Sequence, residues 1–409
     1  MMTKNKPYIS VVIPTYKRES LLLWNLRELA NQTLDSGLFE VIVVSDGEEL
    51  SGWFVDALRT VPGSYRFLTF VQEKSGPASA RNVGAQEASG KVILFVGDDT
   101  IPDRNLLWRH YYMHYTADKP VAVQGYTEWH PDIPPDDFMK FLTGDSGIQS
   151  NWKSLKDESG TWKREATNWF MTTNCSVDRR EFLAESGFCL QFPDPAWEDI
   201  ELGFRFTKRG LTTLFCPDAI NYHYHKIVFD QYVNRQIMEG RSRLILCSQH
   251  PEVTPAMISP ENLRNLDEST LPQSLQVAKD VLYLRGPDVE NIKKQRWFTA
   301  MQVASLVGVN QAINERPRYW QVLKHIHTED EIRHTAGVCA ALDRGDITYA
   351  HFELMWAMQN KRDNWALNAL GAEVSVAYND LGRARIYTQE AVKLGAGEVW
   401  VKELTQELL

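Results

Sequence analysis

A short apolar run that ends in two aspartates is the feature that most constrains how this chain can fold. Residues 92–96 read Val-Ile-Leu-Phe-Val, and Gly97, Asp98 and Asp99 follow directly. The run is too short for a helix and is apolar throughout, which is typical of a strand buried on both faces of a parallel sheet. Carboxylates at its carboxyl end would lie where open α/β sheets bind ligands. The pair suits a divalent cation such as Mg²⁺ or Mn²⁺, and a solvated Asp-Asp turn is the structural alternative.

Further strands alternate with helices around this run. Residues 8–14, 40–45 and 66–72 predict strands, whereas residues 19–31 and 78–88 have helical patterns. Strands and helices that alternate at this spacing indicate βαβ units with right-handed crossovers. We therefore predict an α/β protein with a parallel central sheet.

Composition and charge exclude several classes of protein. The 409 residues are 43% hydrophobic, which is enough for two or three domains. The formal net charge of -9 argues against a nucleic-acid-binding surface. The five cysteines, at 175, 189, 216, 247 and 339, have no zinc spacing, and their odd number argues against a disulfide framework. No signal-like region or membrane-spanning stretch is visible, so we expect a cytoplasmic protein with reduced thiols.

A second acidic cluster begins another predicted helix. Glu198, Asp199 and Glu201 lie directly before apolar residues at 202, 204 and 206. Carboxylates are favoured in a first helical turn, so a purely structural cluster is one interpretation. A general base that faces a hydroxyl group is the other.

The motifs together resemble an inverting family-two glycosyltransferase with the GT-A fold. The resemblance extends over residues 8–245 and depends on segments that occur in the family's order. These segments are Ser-Val-Val-Ile-Pro-Thr-Tyr at 10–16, Val-Val-Ser-Asp-Gly at 43–47, Gly-Pro-Ala-Ser-Ala-Arg-Asn-Val-Gly at 76–84, Val-Gly-Asp-Asp-Thr-Ile-Pro-Asp at 96–103, Thr-Thr-Asn-Cys-Ser-Val-Asp-Arg-Arg-Glu-Phe-Leu at 172–183 and Trp-Glu-Asp-Ile-Glu-Leu-Gly-Phe-Arg at 197–205. The resemblance implies a GT-A-type, Rossmann-like central sheet.

The resemblance also implies which residues bind the nucleotide of the donor. The loop of Pro14, Thr15 and Tyr16 would hold the nucleotide, Asp46 would recognise its base, and Arg81 would approach it. Asp98 would contact the ribose, and Asp99 would bind Mn²⁺ or Mg²⁺. Ser45 and Gly97 stand where the family usually has aspartates, which leaves the division of roles between Asp98 and Asp99 open.

The implied acceptor side lies later in the chain. Asp199, with Glu198 beside it, corresponds to the general base of the family's E-D-x-x-L-G motif. His225, with His223 as the second choice, would complete the metal or diphosphate site, unless both are packing residues. Arg241 would reach the diphosphate, unless it belongs to a solvated helix face. Four tryptophans between the two acidic motifs would either stack on a sugar ring or pack in the core, namely Trp129, Trp152, Trp162 and Trp169.

The remaining sequence predicts a separate helical domain. We expect a glycosyltransferase domain at 1–248, a proline-rich linker at 249–262 and an all-α domain at 263–409. Residues 366–394 resemble one tetratricopeptide-type helical hairpin, which would pack against the catalytic domain or a partner chain, including a second copy.

These features predict a metal-dependent enzyme that transfers a sugar from a nucleoside-diphosphate sugar, most simply a UDP-sugar, to a hydroxyl group. The acceptor would be a saccharide or glycoconjugate, as in polysaccharide biosynthesis. The alternative is a nucleotide-sugar-binding scaffold protein without turnover, which Ser45 and Gly97 favour and the four retained acids at 98, 99, 198 and 199 oppose.

Overall fold

The chain divides into two compact units, Met1–Val228 and Phe229–Leu409. The computed structural model describes residues 6–61, 65–144, 152–192, 196–282, 284, 289–359, 363–397, 400–401 and 403. The division falls before the boundary at 248 that the sequence predicted, and the exact domain limits stay a prediction. No helix among these residues is both long and apolar enough to cross a membrane.

Eight strands form one mixed sheet in the first unit. They are Ile9–Thr15 (β1), Phe39–Asp46 (β2), Arg66–Gln72 (β3), Val92–Val96 (β4), Thr100–Pro102 (β5), Ala122–Trp129 (β6), Asn174–Asp178 (β7) and Thr213–His223 (β8). Their order across the sheet is β3-β2-β1-β4-β7-β6-β8-β5. The central-sheet prediction is confirmed, and β3, β2, β1 and β4 are parallel to one another.

The other half of the sheet is mixed, and there the prediction of parallel strands is correct only for β6 and β8. Strand β7 is antiparallel to both β4 and β6, and β5 is antiparallel to β8. Parallel neighbours need a crossover connection of a dozen or more residues, usually a helix, on one face of the sheet. The first four strands carry that regular alternation in sequence, whereas the later strands do not.

Helices cover both faces of this sheet. They are Glu19–Ala30 (α1), Gly52–Leu58 (α2), Pro77–Glu87 (α3), Leu106–Tyr115 (α4), Asp137–Thr143 (α5), Arg179–Ala184 (α6) and Glu198–Lys208 (α7), with 3-10 turns at Ser36–Leu38 and Trp152–Leu155. Strand β4 is fully buried, and its side chains alternate between two cores. Val92, Leu94 and Val96 pack with α1, α2 and α4, whereas Ile93 and Phe95 pack with α3, α6 and α7. The apolar run thus lies at the centre of the sheet, as its pattern predicted.

The described part of the second unit is helical. Its helices are Phe229–Gln249 (α8), Thr254–Met257 (α9), Pro260–Arg264 (α10), Leu271–Asp280 (α11), Val289–Asn314 (α12), Glu329–Asp343 (α13), Ile347–Ala357 (α14), Trp365–Ala377 (α15) and Leu381–Lys393 (α16), with 3-10 turns at Pro251–Val253, Glu268–Thr270 and Arg318–His325. One apolar core extends from α8 to α15 around the fully buried Trp320. The predicted C-terminal helical region is confirmed.

The last four helices form two hairpins of the same design. Asp346 caps α14 by accepting a hydrogen bond from the backbone of Tyr349, and Asp380 caps α16 in the same way. The two caps are 34 residues apart, which is the period of tetratricopeptide repeats. Gly337 and Gly371 have the same spacing and lie where a side chain would meet the second helix of each hairpin. Only the second of these hairpins was predicted from the sequence.

Candidate active site

Both acidic motifs lie at the same edge of the sheet in the first unit. Val96, the last residue of β4, pairs with Asn174, the first residue of β7. The chain that carries the two aspartates leaves the sheet beyond Val96, and the antiparallel chain that contains Thr172 enters at the same edge. The backbone N–H of Thr172 donates a hydrogen bond to Asp199 Oδ2 at 3.3 Å. This geometry brings the turn at 98–99 and the start of α7 to one side of the molecule.

Thr15 and Arg18 contact the carboxylates of Asp98 and Asp99. Thr15 Oγ1 donates to Asp98 Oδ2 at 2.9 Å. One guanidinium nitrogen of Arg18 donates to Asp98 Oδ1 at 3.1 Å and to Asp99 Oδ2 at 2.9 Å. Arg18 lies two residues after the predicted nucleotide loop, but its role was not predicted from the sequence, because its acidic partners lie 80 and 81 residues away.

Two buried asparagines fix the backbone around this turn. The Asn25 side chain donates to the carbonyl oxygens of Gly97 and Thr100, and Asn221 donates to the hydroxyl of Thr100. A Cβ atom at Gly97 would lie 2.8 Å from the Asp99 carboxylate. The departure from the family pattern at position 97 therefore leaves room for the Asp99 side chain. Neither asparagine was identified from the sequence.

Both histidines of the Tyr-His-Tyr-His segment lie beside Asp99. The backbone N–H of Tyr224 donates to the carbonyl oxygen of Asp99 at 2.8 Å. His223 Nε2 lies 3.4 Å from Asp99 Oδ2, and the rings of His223 and His225 are stacked with centroids 5.8 Å apart. Alternate residues of an extended segment face the same way, which agrees with this stacking. His223, the second choice from sequence, contacts the carboxylate of Asp99.

The surroundings of the aspartate pair favour ionised Asp99. Burial raises the pKa of Asp99, but the hydrogen bond and charge of His223, the charge of Arg18 and the charge of His225 outweigh burial and hold it well below its usual value. Burial and the neighbouring Asp99 charge raise the pKa of Asp98, while Arg18 and Thr15 oppose that shift. The two adjacent acids therefore differ in proton affinity.

The donor set at this edge fits a divalent cation. Asp99 offers carboxylate oxygens, and His223 and His225 offer imidazole nitrogens on the same side. The described residues contain no ready-made cage of three or more acidic, histidine or cysteine ligands. Mg²⁺ sites in nucleotide enzymes have this character, because one or two carboxylates share the ion with substrate phosphates.

Asp46 organises the loop that precedes α3. Its carboxylate accepts hydrogen bonds from the Gln72 side chain at 2.8 Å and from the backbone N–H groups of Ser75 and Gly76 at 2.7 and 3.0 Å. The adjacent Gly47 has a φ of +103° and lies where a Cβ atom would meet Lys74. The Lys74 ammonium in turn lies 4.0 Å from the ring centroid of Tyr16. Asp46, at the end of β2, and Tyr16, after the end of β1, therefore lie on adjacent strand ends that Lys74 connects, and Pro14 and Thr15 end β1 beside them.

Glu198 and Asp199 begin α7 as predicted, but they have different partners. Arg81 donates to Glu198 at 2.9 Å, and both side chains are buried. Burial and the charge of Asp199 raise the pKa of Glu198 to about 7, against the opposing charge of Arg81. Asp199 is half-buried and accepts backbone hydrogen bonds from Thr172 and Ile200. Asp199 is thus the more accessible of the two carboxylates.

Backbone strain marks the residue before these acids. Trp197 has a φ of 72° and a ψ of -12°, in the left-handed region that a bulky residue rarely adopts. Such strained residues cluster at binding and catalytic sites, where the surrounding structure holds them in place. The conformation of Trp197 therefore favours a functional interpretation of the start of α7.

A family model described as glycosyl transferase family 2 matches residues 10–179. A validoxylamine A glucosyltransferase from Streptomyces hygroscopicus subsp. jinggangensis (strain 5008) is 30% identical over 312 residues, which cover 70% of this chain and 71% of the relative. The chain belongs to glycosyl transferase family 2. A validoxylamine A glucosyltransferase from Streptomyces hygroscopicus subsp. limoneus has the same identity, and the match covers 66% of its length.

One match to a solved structure extends over most of the chain. The mannosyltransferase from Pyrobaculum calidifontis, in complex with GDP-Man and Mn²⁺, is 16% identical with a TM-score of 0.42. The match covers 97% of this chain and 88% of that one. Family membership, rather than this structural similarity, confirms the predicted class of enzyme, a glycosyltransferase.

The remaining residues that the family resemblance implied lie in different parts of the structure. Arg241 is in the second unit, on α8, where it forms a bidentate ion pair with Glu315. Trp129 stacks on His223 with centroids 5.5 Å apart, next to the aspartate pair. The other three tryptophans pack around Phe215 and Tyr126, and they are Trp152, Trp162 and Trp169. Their roles at a diphosphate or sugar ring stay predictions.

Proposed function

We propose that the chain is a metal-dependent, inverting glycosyltransferase that uses a nucleoside-diphosphate sugar, first of all a UDP-sugar. The acceptor is a hydroxyl group of a saccharide or glycoconjugate. The observation that carries the proposal is the convergence of Asp98, Asp99 and Asp199, from two separate motifs, at one edge of the sheet. Free cysteines at all five positions fit the cytoplasm, where such donors would be used.

The donor side of the site would bind the negatively charged diphosphate. Thr15 and Asp98 lie at the nucleotide loop, and Asp99 with His223 and His225 would hold the cation. When bound there, Mn²⁺ or Mg²⁺ supplies Lewis-acid stabilisation of the departing diphosphate. Tyr16 and Asp46 contact the loop at residues 74–76, and the base of the nucleotide would lie beside them.

The acceptor side removes a proton. Asp199 accepts the proton of the acceptor hydroxyl as that oxygen attacks the anomeric carbon from the face opposite the diphosphate, so the configuration inverts. Two backbone N–H groups orient the Asp199 carboxylate. Glu198 forms an ion pair with Arg81. Its role is therefore to set the charge beside Asp199, and it does not act as the base itself.

Release of nucleoside diphosphate tests this function. Purified protein is incubated with Mn²⁺ and a donor panel that begins with UDP-glucose, because two relatives carry the name glucosyltransferase, and validoxylamine A is among the acceptors. Wild type should release diphosphate and give a product of inverted anomeric configuration by NMR. Asp199→Asn should lower kcat by about a hundredfold or more.

The matched control is Asp56→Asn, an exposed aspartate on α2, which should keep wild-type turnover. A retained anomeric configuration, or equal turnover in wild type and Asp199→Asn, would contradict the proposal. Donor binding without turnover on any acceptor would instead favour a scaffold protein.

A further inference from the structure

Arg18 lies over the carboxylates where the cation is expected. It occupies the N-cap position of α1, after Lys17 in the left-handed conformation with a φ of 56°. The Arg18 side chain is 47% exposed, whereas those of Asp98 and Asp99 are 8% and 13% exposed. Arg18 therefore covers the acid pair on the solvent side.

The attachment of Arg18 to the acids is incomplete. The same guanidinium nitrogen makes both hydrogen bonds, at 3.1 and 2.9 Å. An arginine that binds its anion most strongly uses two parallel N–H groups. The other two guanidinium nitrogens of Arg18 donate to none of the described residues. The arginine can thus exchange partners without leaving a buried donor unsatisfied.

Arg18 and a divalent cation compete for the same oxygen atoms. Two adjacent, mostly buried carboxylates repel each other and need a positive charge. Arg18 supplies one positive charge through Asp98 Oδ1 and Asp99 Oδ2. A cation bound by Asp99 would take the lone pair that Arg18 uses on Asp99 Oδ2, and it would leave the guanidinium available for a phosphate group.

We propose that Arg18 is an internal counter-ion that occupies the cation's place in the donor-free protein and moves to the diphosphate when cation and donor bind together. This inference extends the function proposed above to its metal step. A cation that arrives alone must break the contacts of Arg18. A cation that arrives with a nucleoside diphosphate lets Arg18 form phosphate contacts instead. The consequence is strong coupling between the binding of the cation and the binding of the donor.

The test measures Mn²⁺ affinity without turnover. Free Mn²⁺ is followed by electron paramagnetic resonance, with and without saturating UDP, in wild type, Arg18→Gln and Lys17→Gln. Lys17 is the matched control because its substitution removes one positive charge at the adjacent position. The Lys17 side chain forms an ion pair with the exposed Glu48 and not with the aspartates. Circular dichroism confirms that each variant is folded.

In the absence of UDP, Arg18→Gln should bind Mn²⁺ about tenfold more tightly than wild type, the factor that one charge-assisted hydrogen bond represents. The ratio of the Mn²⁺ dissociation constants without and with UDP should fall by at least the same factor. Lys17→Gln should change both quantities by less than about twofold. Arg18→Lys keeps the positive charge but lacks the planar guanidinium group. Its ratio of Mn²⁺ dissociation constants without and with UDP should lie between those of wild type and Arg18→Gln.

Equal Mn²⁺ affinity in Arg18→Gln and wild type would overturn the inference, as would the same change in Lys17→Gln. Absence of Mn²⁺ binding in both Arg18→Gln and Arg18→Lys would also overturn it, because the acids would then not bind the cation. These readouts need no sugar transfer. A protein that shows the predicted coupling but transfers no sugar would contradict the proposed function and leave the role of Arg18 intact.

Discussion

Glu198 and Asp199 are neighbours in sequence but lie in different environments. Glu198 is buried against Arg81, and its pKa is raised to about 7. Asp199 is half-buried, and backbone N–H groups orient its carboxylate. A buried carboxylate whose pKa is raised by burial and by a neighbouring charge is typical of functional sites. The sequence showed both acids but not the arginine partner of Glu198, since 117 residues separate the two in the chain.

The buried Arg81–Glu198 pair leads to a stability prediction. Arg81→Met should lower the free energy of unfolding by about 3–5 kcal/mol, because it leaves a buried carboxylate without its counter-charge. The double variant Arg81→Met/Glu198→Gln should recover most of that loss, since the buried charge is then removed. Urea unfolding curves give the values.

The control for this prediction is Arg59→Met, because Arg59 forms an exposed ion pair with Asp56 on α2. Its cost should stay below about 0.5 kcal/mol. Equal losses in Arg81→Met and Arg59→Met would show that the buried pair does not contribute in this way.

At the level of elements, α4 and β7 are joined by two buried histidines. His110 and His114, one turn apart on α4, both contact the hydroxyl of Ser176, at 2.8 and 2.7 Å. His110 also contacts the Asn174 side chain, which donates to the carbonyl oxygens of residues 126 and 219 on the neighbouring strands. This network fixes the start of β7, the strand that leads to the contact with Asp199.

These histidines should make the protein sensitive to acid. Burial lowers the pKa of His110 to about 4, and burial together with the charges of His110 and Lys91 lowers that of His114 to about 3. Both values lie below the usual 6.5, so the unfolded chain binds protons first as the pH falls. The stability that these two histidines contribute is therefore complete above pH 6.5 and should fall below it, by about 1.4 kcal/mol per pH unit for each histidine.

Urea unfolding at pH 7.5, 6.0 and 5.0 checks this dependence. The variant His114→Leu should show a shallower loss between pH 6.0 and 5.0 than wild type, because one titrating group is removed. His351→Leu, a half-buried histidine on α14, is the control. An unchanged slope in His114→Leu would contradict the assignment.

Sequence patterns predicted the elements of this fold unevenly, for physical reasons. Strands β1, β2 and β4 are buried on both faces, so their continuous apolar runs are readable. The order of β6, β7 and β8 depends on long-range pairing and leaves no local pattern. The first helical hairpin was missed because the two copies share few residues beyond Gly337, Asp346 and Ala350 and their equivalents 34 positions later.

For the whole molecule, the first unit contains both acidic motifs, and the second unit contains the paired hairpins. Every predicted site residue except Arg241 lies in the first unit. The motifs could be found from sequence because each needs a particular residue type at a strand or helix end. The contacts of Arg18, Asn25 and Asn221 could not, since they arise only when distant segments meet at the sheet edge.

The central claim is that Asp99 serves the donor and Asp199 serves the acceptor, at one edge of one sheet. Calorimetric titration of UDP with Mn²⁺ into wild type, Asp99→Asn and Asp199→Asn tests it most directly. We predict that Asp99→Asn weakens UDP binding by about tenfold or more, whereas Asp199→Asn binds UDP within about twofold of wild type. Unchanged binding in Asp99→Asn, or an equal loss in both variants, would contradict this division of roles.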